Sequence, residues 1–460
     1  MVMTTHLDRP AGIFAPRYRA LTVGMVALIS LVAFEYLAVA TAMPVVADDL
    51  HGHALYGLAF SGAMAAGVVA TVLGGRWGDV RGPVAPLWAG VTVFAAGLVL
   101  AGTAPTMDVF LVGRFVQGFG GGVFQVSMYV LVSRVYPAEI HPRVFSVFAT
   151  AWVLPSMIGP AVTGAVVQYA GWRWIFIGVL LFLAPAALLL WRGLSSAPMP
   201  ERAIPAERPP IARRLGWAVL VAVGAALMQY GGALMKTDGV SRGAGVVLLA
   251  AGFATLAAAL PRLLPTGTLR AARGLPAVVA MRGIAAGAAM GGEAFLPLML
   301  NEERGLSLTM AGLTLTGGAL SWSFGSWVVG RRSFDRVAVL RAGSVLIAAG
   351  LVLMALTVFA VIPVATAFLG EIVLGLGMGI VYPTLSVLVL ELSRPGEEGD
   401  NSASLGVGES VYTVVTVAVT GAVLAALGTS ASAYVLCFAL TALVAVAGVP
   451  VARRVRGSGA

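Results

Sequence analysis

The chain is a succession of apolar runs, most about twenty residues or longer, divided by short polar breaks, and that pattern leaves few folds open. A hydrocarbon layer of about 30 Å is crossed by roughly 20 helical residues, and inside it only helices or closed barrels satisfy every backbone N–H and C=O. Long runs without polar alternation exclude a barrel. The pattern predicts about fourteen transmembrane helices, at 21–44, 56–74, 84–103, 108–133, 143–168, 173–192, 215–235, 242–262, 276–300, 307–330, 337–358, 362–391, 402–427 and 430–452. Composition agrees: of 460 residues 59% are hydrophobic and 11% charged, with a mean hydropathy of +0.94, too apolar for a domain surrounded by water. The expected fold class is an all-α membrane protein. The first run follows Arg9, Arg17 and Arg19, but it is too long for a signal peptide and no small-residue cleavage site closes it, so it is expected to be a retained helix.

The net charge of +9 raises the question of a nucleic-acid partner, which the placement of the charges answers. With the N-terminus in the cytoplasm, the loops holding Arg76 and Arg81, Arg134 and Arg143, Arg262 to Arg273, Arg331 to Arg341, and the tail with Arg453, Arg454 and Arg456 share one side. About 23 of the 29 basic residues then lie in the cytoplasm, the positive-inside pattern. The expected location is the cell membrane, with multiple passes, both termini cytoplasmic and no nucleic-acid partner.

Internal repetition organises the spans further. Gly113, Gly118, Gly120 and Gly122 of the fourth span match Gly370, Gly375, Gly377 and Gly379 of the twelfth, each 257 positions on, and Val162 to Val166 of the fifth recurs at the same offset as Val419 to Val423 of the thirteenth. Spans one to six are therefore expected to repeat as nine to fourteen, with the seventh and eighth inserted. The predicted organisation is a tail at 1–20, a six-helix half at 21–192, a proline- and arginine-rich cytoplasmic linker at 193–214, two inserted helices at 215–262, a second six-helix half at 276–452 and a tail at 453–460. Two six-helix halves about an axis along the membrane normal are a transporter plan, with the substrate site between them.

Charged residues within the spans carry the chemistry. Glu35 lies nine residues before Pro44, some 13 Å from the outer end of its helix at 1.5 Å per residue, and Arg114 is expected about 10 Å deep in the fourth span. An ionised group there costs roughly 2.5 to 3.5 kcal/mol, so each should face a polar cavity or the other. A carboxylate held by a guanidinium that cannot deprotonate, yet opposed by burial, is a balance that a proton or a cargo can tip. A static pair that merely registers two helices is the alternative. Glu293, 258 positions after Glu35, and Glu371, 257 after Arg114, are the candidates in the second half, while Glu409 lies in the thirteenth span. Arg282 is near enough to the cytoplasmic end of its span to be expected to snorkel. Gln117, Gln125, Tyr129, Trp152, Met157, Phe295, Trp322 and Tyr382 would line a central cavity suited to lipophilic or cationic compounds. Trp172 and Trp174 read as an interfacial aromatic belt.

Gly75-Arg-Trp-Gly-Asp79-Val-Arg81-Gly82, between spans two and three, resembles the loop motif of the major facilitator superfamily, although Pro83 and Val84 replace the basic pair that usually follows. Arg114-Phe-Val-Gln117-Gly118-Phe-Gly120 is similar to that superfamily's fourth-helix motif, and Pro155-Ser-Met-Ile-Gly159-Pro160-Ala-Val-Thr-Gly164 to its fifth-helix antiporter motif. The acid nine residues before Ala-Met-Pro44 resembles the first-helix motif of the fourteen-helix drug/proton antiporters, with Glu35 and Leu37 where that branch usually has Asp and Thr. The resemblance implies the major-facilitator fold, a part for Arg114 in proton transfer beside the first-helix acid Glu35, and drug export; with the repeat-matched acids, the residues expected to couple protons are Glu35, Arg114, Glu293 and Glu371. It implies that Asp79 docks on the start of the thirteenth helix near Asn401 to Ser404, with Arg134 or Arg81 completing the cluster. The motif glycines would let helices approach closely, and Pro155 and Pro160 would bend the fifth.

The chain is thus expected to be a proton-driven exporter working by alternating access, probed alongside an uptake symporter or lipid exporter of the same fold and a receptor or scaffold that does not transport. It is expected to be monomeric, with no enzymatic activity and no cofactor beyond the proton gradient. Cys437 is the only cysteine, and His6, His51, His53 and His141 lie in the tail or loops without metal-ligand spacing.

Overall fold

The computed structural model describes residues 12–52, 55–196, 211–235 and 240–456. They form helices only: α1 (Pro16–Asp49), α2 (Tyr56–Arg81), α3 (Val84–Gly102), α4 (Met107–Val135), α5 (His141–Thr150), α6 (Val153–Tyr169), α7 (Arg173–Ser196), α8 (Ile211–Leu234), α9 (Val240–Leu263), α10 (Leu275–Glu293), α11 (Leu296–Glu302), α12 (Leu308–Arg331), α13 (Arg336–Thr357), α14 (Ala365–Glu391), α15 (Glu398–Leu427) and α16 (Ala431–Val451). The first 11 residues, 197–210 of the predicted linker and everything after 456 lie outside the described residues.

Eleven helices are long and apolar enough to cross a membrane, or twelve when the segments 138–159 and 161–169 are taken as one bent span. The predicted spans at 56–74 and 307–330 exist as helices α2 and α12, of 26 and 24 residues, and stand outside those eleven. Two spans expected to be continuous are broken. The span predicted at 143–168 stops at Thr150, restarts at Val153 and bends by 48° about residue 160, and the one predicted at 276–300 is interrupted between Glu293 and Leu296. A proline opens the piece after the second break, Pro297, where its missing N–H costs nothing.

The small residues of α2 and α12 have a packing reason. A methyl added at Gly118 of α4 would collide with the backbone of Ala63 in α2, and one at Gly375 of α14 with the backbone of Gly318 in α12. On the other side of α4, Gly97 of α3 lies against the backbone of Gln117; correspondingly, Gly350 of α13 lies against that of Leu374 in α14. Backbones in such contact gain dispersion energy over their whole length, and side chains larger than hydrogen are excluded at the crossing. The same two-sided packing therefore recurs about α4 and about α14, at residues 257 apart.

One end of the bundle gathers the arginines. Arg214 at the start of α8 meets Asp400 at the start of α15, Arg336 at the start of α13 meets Glu391 at the end of α14, and Arg456 meets Asp335 before α13. Bonds between residues of the first six predicted spans and those of the last six lie toward this arginine-rich end: Asp79 to Gly399 and Asp400, Tyr129 to Ser386, and Ser323 to Thr150. Backbone also meets backbone there, Gly75 against Gly399, while Gly330 of α12 meets Pro142 and Ser146 of α5. The helices α8 and α9 form a pair packed on each other, and α8 additionally lies against both α2 and α15.

Candidate functional site

Three buried groups come together between α1 and α4. Arg114 Nη1 donates to Glu35 Oε1 and, at 2.6 Å, to Gln117 Oε1, one turn on along α4. Glu35 and Arg114 are each 5% exposed. The i, i+3 spacing puts Arg114 and Gln117 on one face of α4, so the amide oxygen supplements the carboxylate in holding the guanidinium. The amide nitrogen of Gln117 is buried without a hydrogen-bond partner among the described residues. Beside the pair, Tyr36 is half-exposed and meets the edge of the Trp152 ring at 6.2 Å.

The second half holds its charges differently. Arg282 does not snorkel: it is buried, because Glu409 of α15 and the Tyr382 ring of α14 take it up inside the bundle. Its Nε donates to Glu409 at 2.8 Å, its Nη1 to the Tyr382 carbonyl at 3.3 Å, and the Tyr382 hydroxyl donates to the other Glu409 oxygen at 3.2 Å. Trp322 packs edge-on to Tyr382 at 4.8 Å. Sequence reasoning missed Arg282 because depth along a helix does not report what waits on the neighbouring helices. Glu371 is buried with Oε1 unpartnered, and its charge interacts with that of Glu293 at the end of α10. No arginine balances these two acids among the described residues, so the matching position holds a base in one half and an acid in the other, in opposite surroundings.

At the arginine-rich end Asp79 is buried and accepts from the backbone N–H groups of Gly399, at 2.7 Å, and Asp400, at 3.0 Å. The expected docking point near Asn401 to Ser404 is therefore one turn too far along, since it is the first turn of α15 whose N–H groups lack intrahelical partners. Arg134 donates to the carbonyl oxygens of Gly78 and Asp79 at 3.3 and 3.2 Å. Arg81 is exposed and outside this cluster. Gly82 ends α2 with φ +87° and ψ 159°, an extended conformation open chiefly to glycine.

Several expectations for single residues are corrected. In the fifth-helix motif a methyl added at Gly159 would make only ordinary van der Waals contact with Phe34 and Leu37, and one at Gly164 would meet nothing within 4 Å, so close helix approach belongs to the fourth-helix glycines instead. Pro155 is buried in the first turn of α6, and the bend falls about residue 160. Trp172 is buried against Phe110 and Phe176 and donates its indole N–H to Asp49 at 2.9 Å, whereas Trp174 is half-exposed, as a belt residue would be. Arg173 also donates to Asp49, at 3.0 Å, and the bonds from Trp172 and Arg173 hold the Asp49 carboxyl below its ordinary range. Tyr129 bonds Ser386 at 3.2 Å and packs on Phe145, Gln125 is exposed, and Phe295 sits in the break between α10 and α11, facing Gly421. No group of three metal-ligating side chains occurs among the described residues, and His53 lies outside them.

A helical bundle with ion pairs buried inside it and a bonded closure at one end defines the class of multi-pass membrane carriers. The Major Facilitator Superfamily model matches residues 24–417, and the chain belongs to that superfamily of transporters, which is not enzymatic. The multidrug efflux pump SdrM of Staphylococcus aureus is 22% identical over 170 residues, covering 37% of this chain and 38% of that protein. An uncharacterised MFS-type transporter of Mycobacterium tuberculosis is 30% identical over 138 residues, 30% of this chain and 20% of that one. The matched stretches thus span only a fifth to about two fifths of these relatives. The human organic anion transporter MFSD10 has the same fold, with a TM-score of 0.69 at 16% identity over 94% of this chain and 99% of that one.

Proposed function

We propose that this protein is a proton-coupled carrier that exports lipophilic or cationic small molecules by alternating access. The observation that carries the reading is the buried Glu35–Arg114–Gln117 cluster. A proton arriving on Glu35 cancels the charge that holds Arg114, and the guanidinium must then find another partner or exposure to water. Either outcome moves α1 relative to α4, and the same logic lets a cationic cargo compete for the carboxylate. Glu293 and Glu371 are the second pair of candidate coupling acids, and the aromatic and polar groups Trp152, Trp322, Tyr382 and Glu409 suit a lipophilic cation.

In this reading the chain spans the membrane fourteen times, with α2 and α12 included, as two six-helix halves around the inserted pair α8 and α9, and the arginine-rich end faces the cytoplasm. The recurring glycine contacts about α4 and α14 support the two halves, and the arginine distribution supports the orientation. Asp79 on the start of α15 then closes the cytoplasmic side, leaving the carrier open outward. The partial match to an efflux pump favours export.

The test is substrate-dependent proton movement in vesicles reconstituted with a panel of lipophilic cations. Wild-type protein should move protons when a substrate is added, and Glu35→Gln should not. Coupling of wild-type magnitude in Glu35→Gln would remove Glu35 from the mechanism, and resistance to no compound in an exporter-deficient host would remove drug export.

A further inference from the structure

The docking of Asp79 carries an electrostatic cost that its own half of the chain meets only in part. By accepting from the Asp400 N–H at 3.0 Å, the Asp79 carboxylate comes to rest on the backbone of a residue that is itself acidic. The start of α15 is acidic, with Glu398 and Asp400 in the first turn and Glu397 just before it. Like charges this close repel unless cations intervene. Arg134 serves the loop carbonyls of Gly78 and Asp79 and stays within the first half. Arg76 and Arg214 both reach Asp400. Arg76, on α2, is 3.7 Å from Oδ2, whereas Arg214, on α8, is 2.7 Å from the same oxygen. The closer ion pair is therefore made by the inserted helix pair.

The placement of α8 makes this contact more than a surface pair. It packs along α2, which belongs to one half, and along α15, which belongs to the other, so it lies over the seam that must open if the two move apart. The Arg214 and Asp400 side chains are a quarter and a tenth exposed, sheltered enough for the pairing to outweigh screening by salt.

We propose that Arg214 is a positioning residue of the gate: by neutralising Asp400 it lets Asp79 dock, and it thereby makes the inserted pair α8 and α9 a strap across the seam that must release each time the arginine-rich end opens. The strap is independent of cargo and of the coupling ion, so it stands or falls apart from the export reading.

The experiment uses the full chain with spin labels at two exposed positions flanking the seam, Ala85 and Arg394, and reads the closed-to-open ratio from the distance distribution. Arg214→Gln should lower that ratio about fivefold, the worth of a partly sheltered ion pair. Arg214→Lys should restore most of it, because a single donor to Oδ2 suffices. In an Asp400→Asn background, where the repulsion is gone, Arg214→Gln should change the ratio less than about twofold. A merely structural role for Arg214 predicts an equal shift in both backgrounds and no rescue by lysine. Either of those results, or an unchanged ratio in Arg214→Gln with monodisperse protein, would overturn the proposal.

Discussion

Replacing Asp79 by asparagine tests the closure at the arginine-rich end most directly, because the shape of the side chain is kept and only its charge and one acceptor are lost. In the wild type, two N–H groups of the first turn of α15 donate to this carboxylate at 2.7 and 3.0 Å. Hydrogen bonds to a charged partner are worth about 1.5 to 3 kcal/mol each, against about 1 kcal/mol for a neutral one. The asparagine oxygen can retain the bond from Gly399, now neutral, while its amide faces the Asp400 N–H as one donor against another. Relief of the repulsion from the Asp400 carboxylate returns part of the loss, so the net cost to the closed form is about 2 to 4 kcal/mol. At 1.4 kcal/mol per factor of ten, the closed-to-open ratio should fall by roughly 30- to 1000-fold. Double electron–electron resonance between labels at Ala85 and Arg394 should show the short distance replaced by a longer one. An unchanged distribution would mean that Asp79 is a passenger and that the apposed backbones of Gly75 and Gly399 hold the seam by packing alone.

Other perturbations have equally definite outcomes. Gly97→Leu or Gly118→Val drives a side chain into the backbone of the neighbouring helix, and should cost at least about 3 kcal/mol, seen as a lowered melting temperature in detergent; equal melting would refute the close approach. Arg282→Gln leaves Glu409 without its cation, and is expected to alter transport while Arg282→Lys restores part of it; indifference to both would make the pair ornamental. Asp49 is held below its ordinary range by Trp172 and Arg173, so what it contributes is present at neutral pH and disappears as pH falls below the unfolded value near 3.8. An acid titration of tryptophan fluorescence should therefore show a transition there that is absent in Asp49→Asn.

Much of the fold was legible because lipid imposes a single rule, that backbone polarity be hidden in helices, and apolar length alone reports it. The repeat was legible only where its register is constant. Gly113 to Gly122 and their partners sit 257 apart, but Gly97 and Gly350, which make the same contact, sit 253 apart, since the connections between them have taken up insertions that loops tolerate. The breaks at Thr150 and Glu293 went unseen, as no change in hydropathy marks a helix that stops and resumes within apolar sequence. In the site, the depths of Glu35 and Arg114 predicted their meeting, and both arginine and acid had to find a counter-charge. Arg282 obeys the same demand, yet its partner lies 127 positions away on a helix whose rotation the sequence does not reveal. Glu371 is the reverse case: its buried, unpartnered oxygen was foreseen as a charged position but not as one lacking a cation.

The lone thiol gives these experiments an unusually clean start. Cys437 is 2% exposed within α16, with its Sγ directed to the Thr420 carbonyl at 3.4 Å. Water-soluble maleimides and spin labels attack thiolates that solvent can reach, and this thiol is buried away from it. Reporters can thus be placed one or two at a time on either side of the seam, in the native sequence, without first stripping the protein of cysteines.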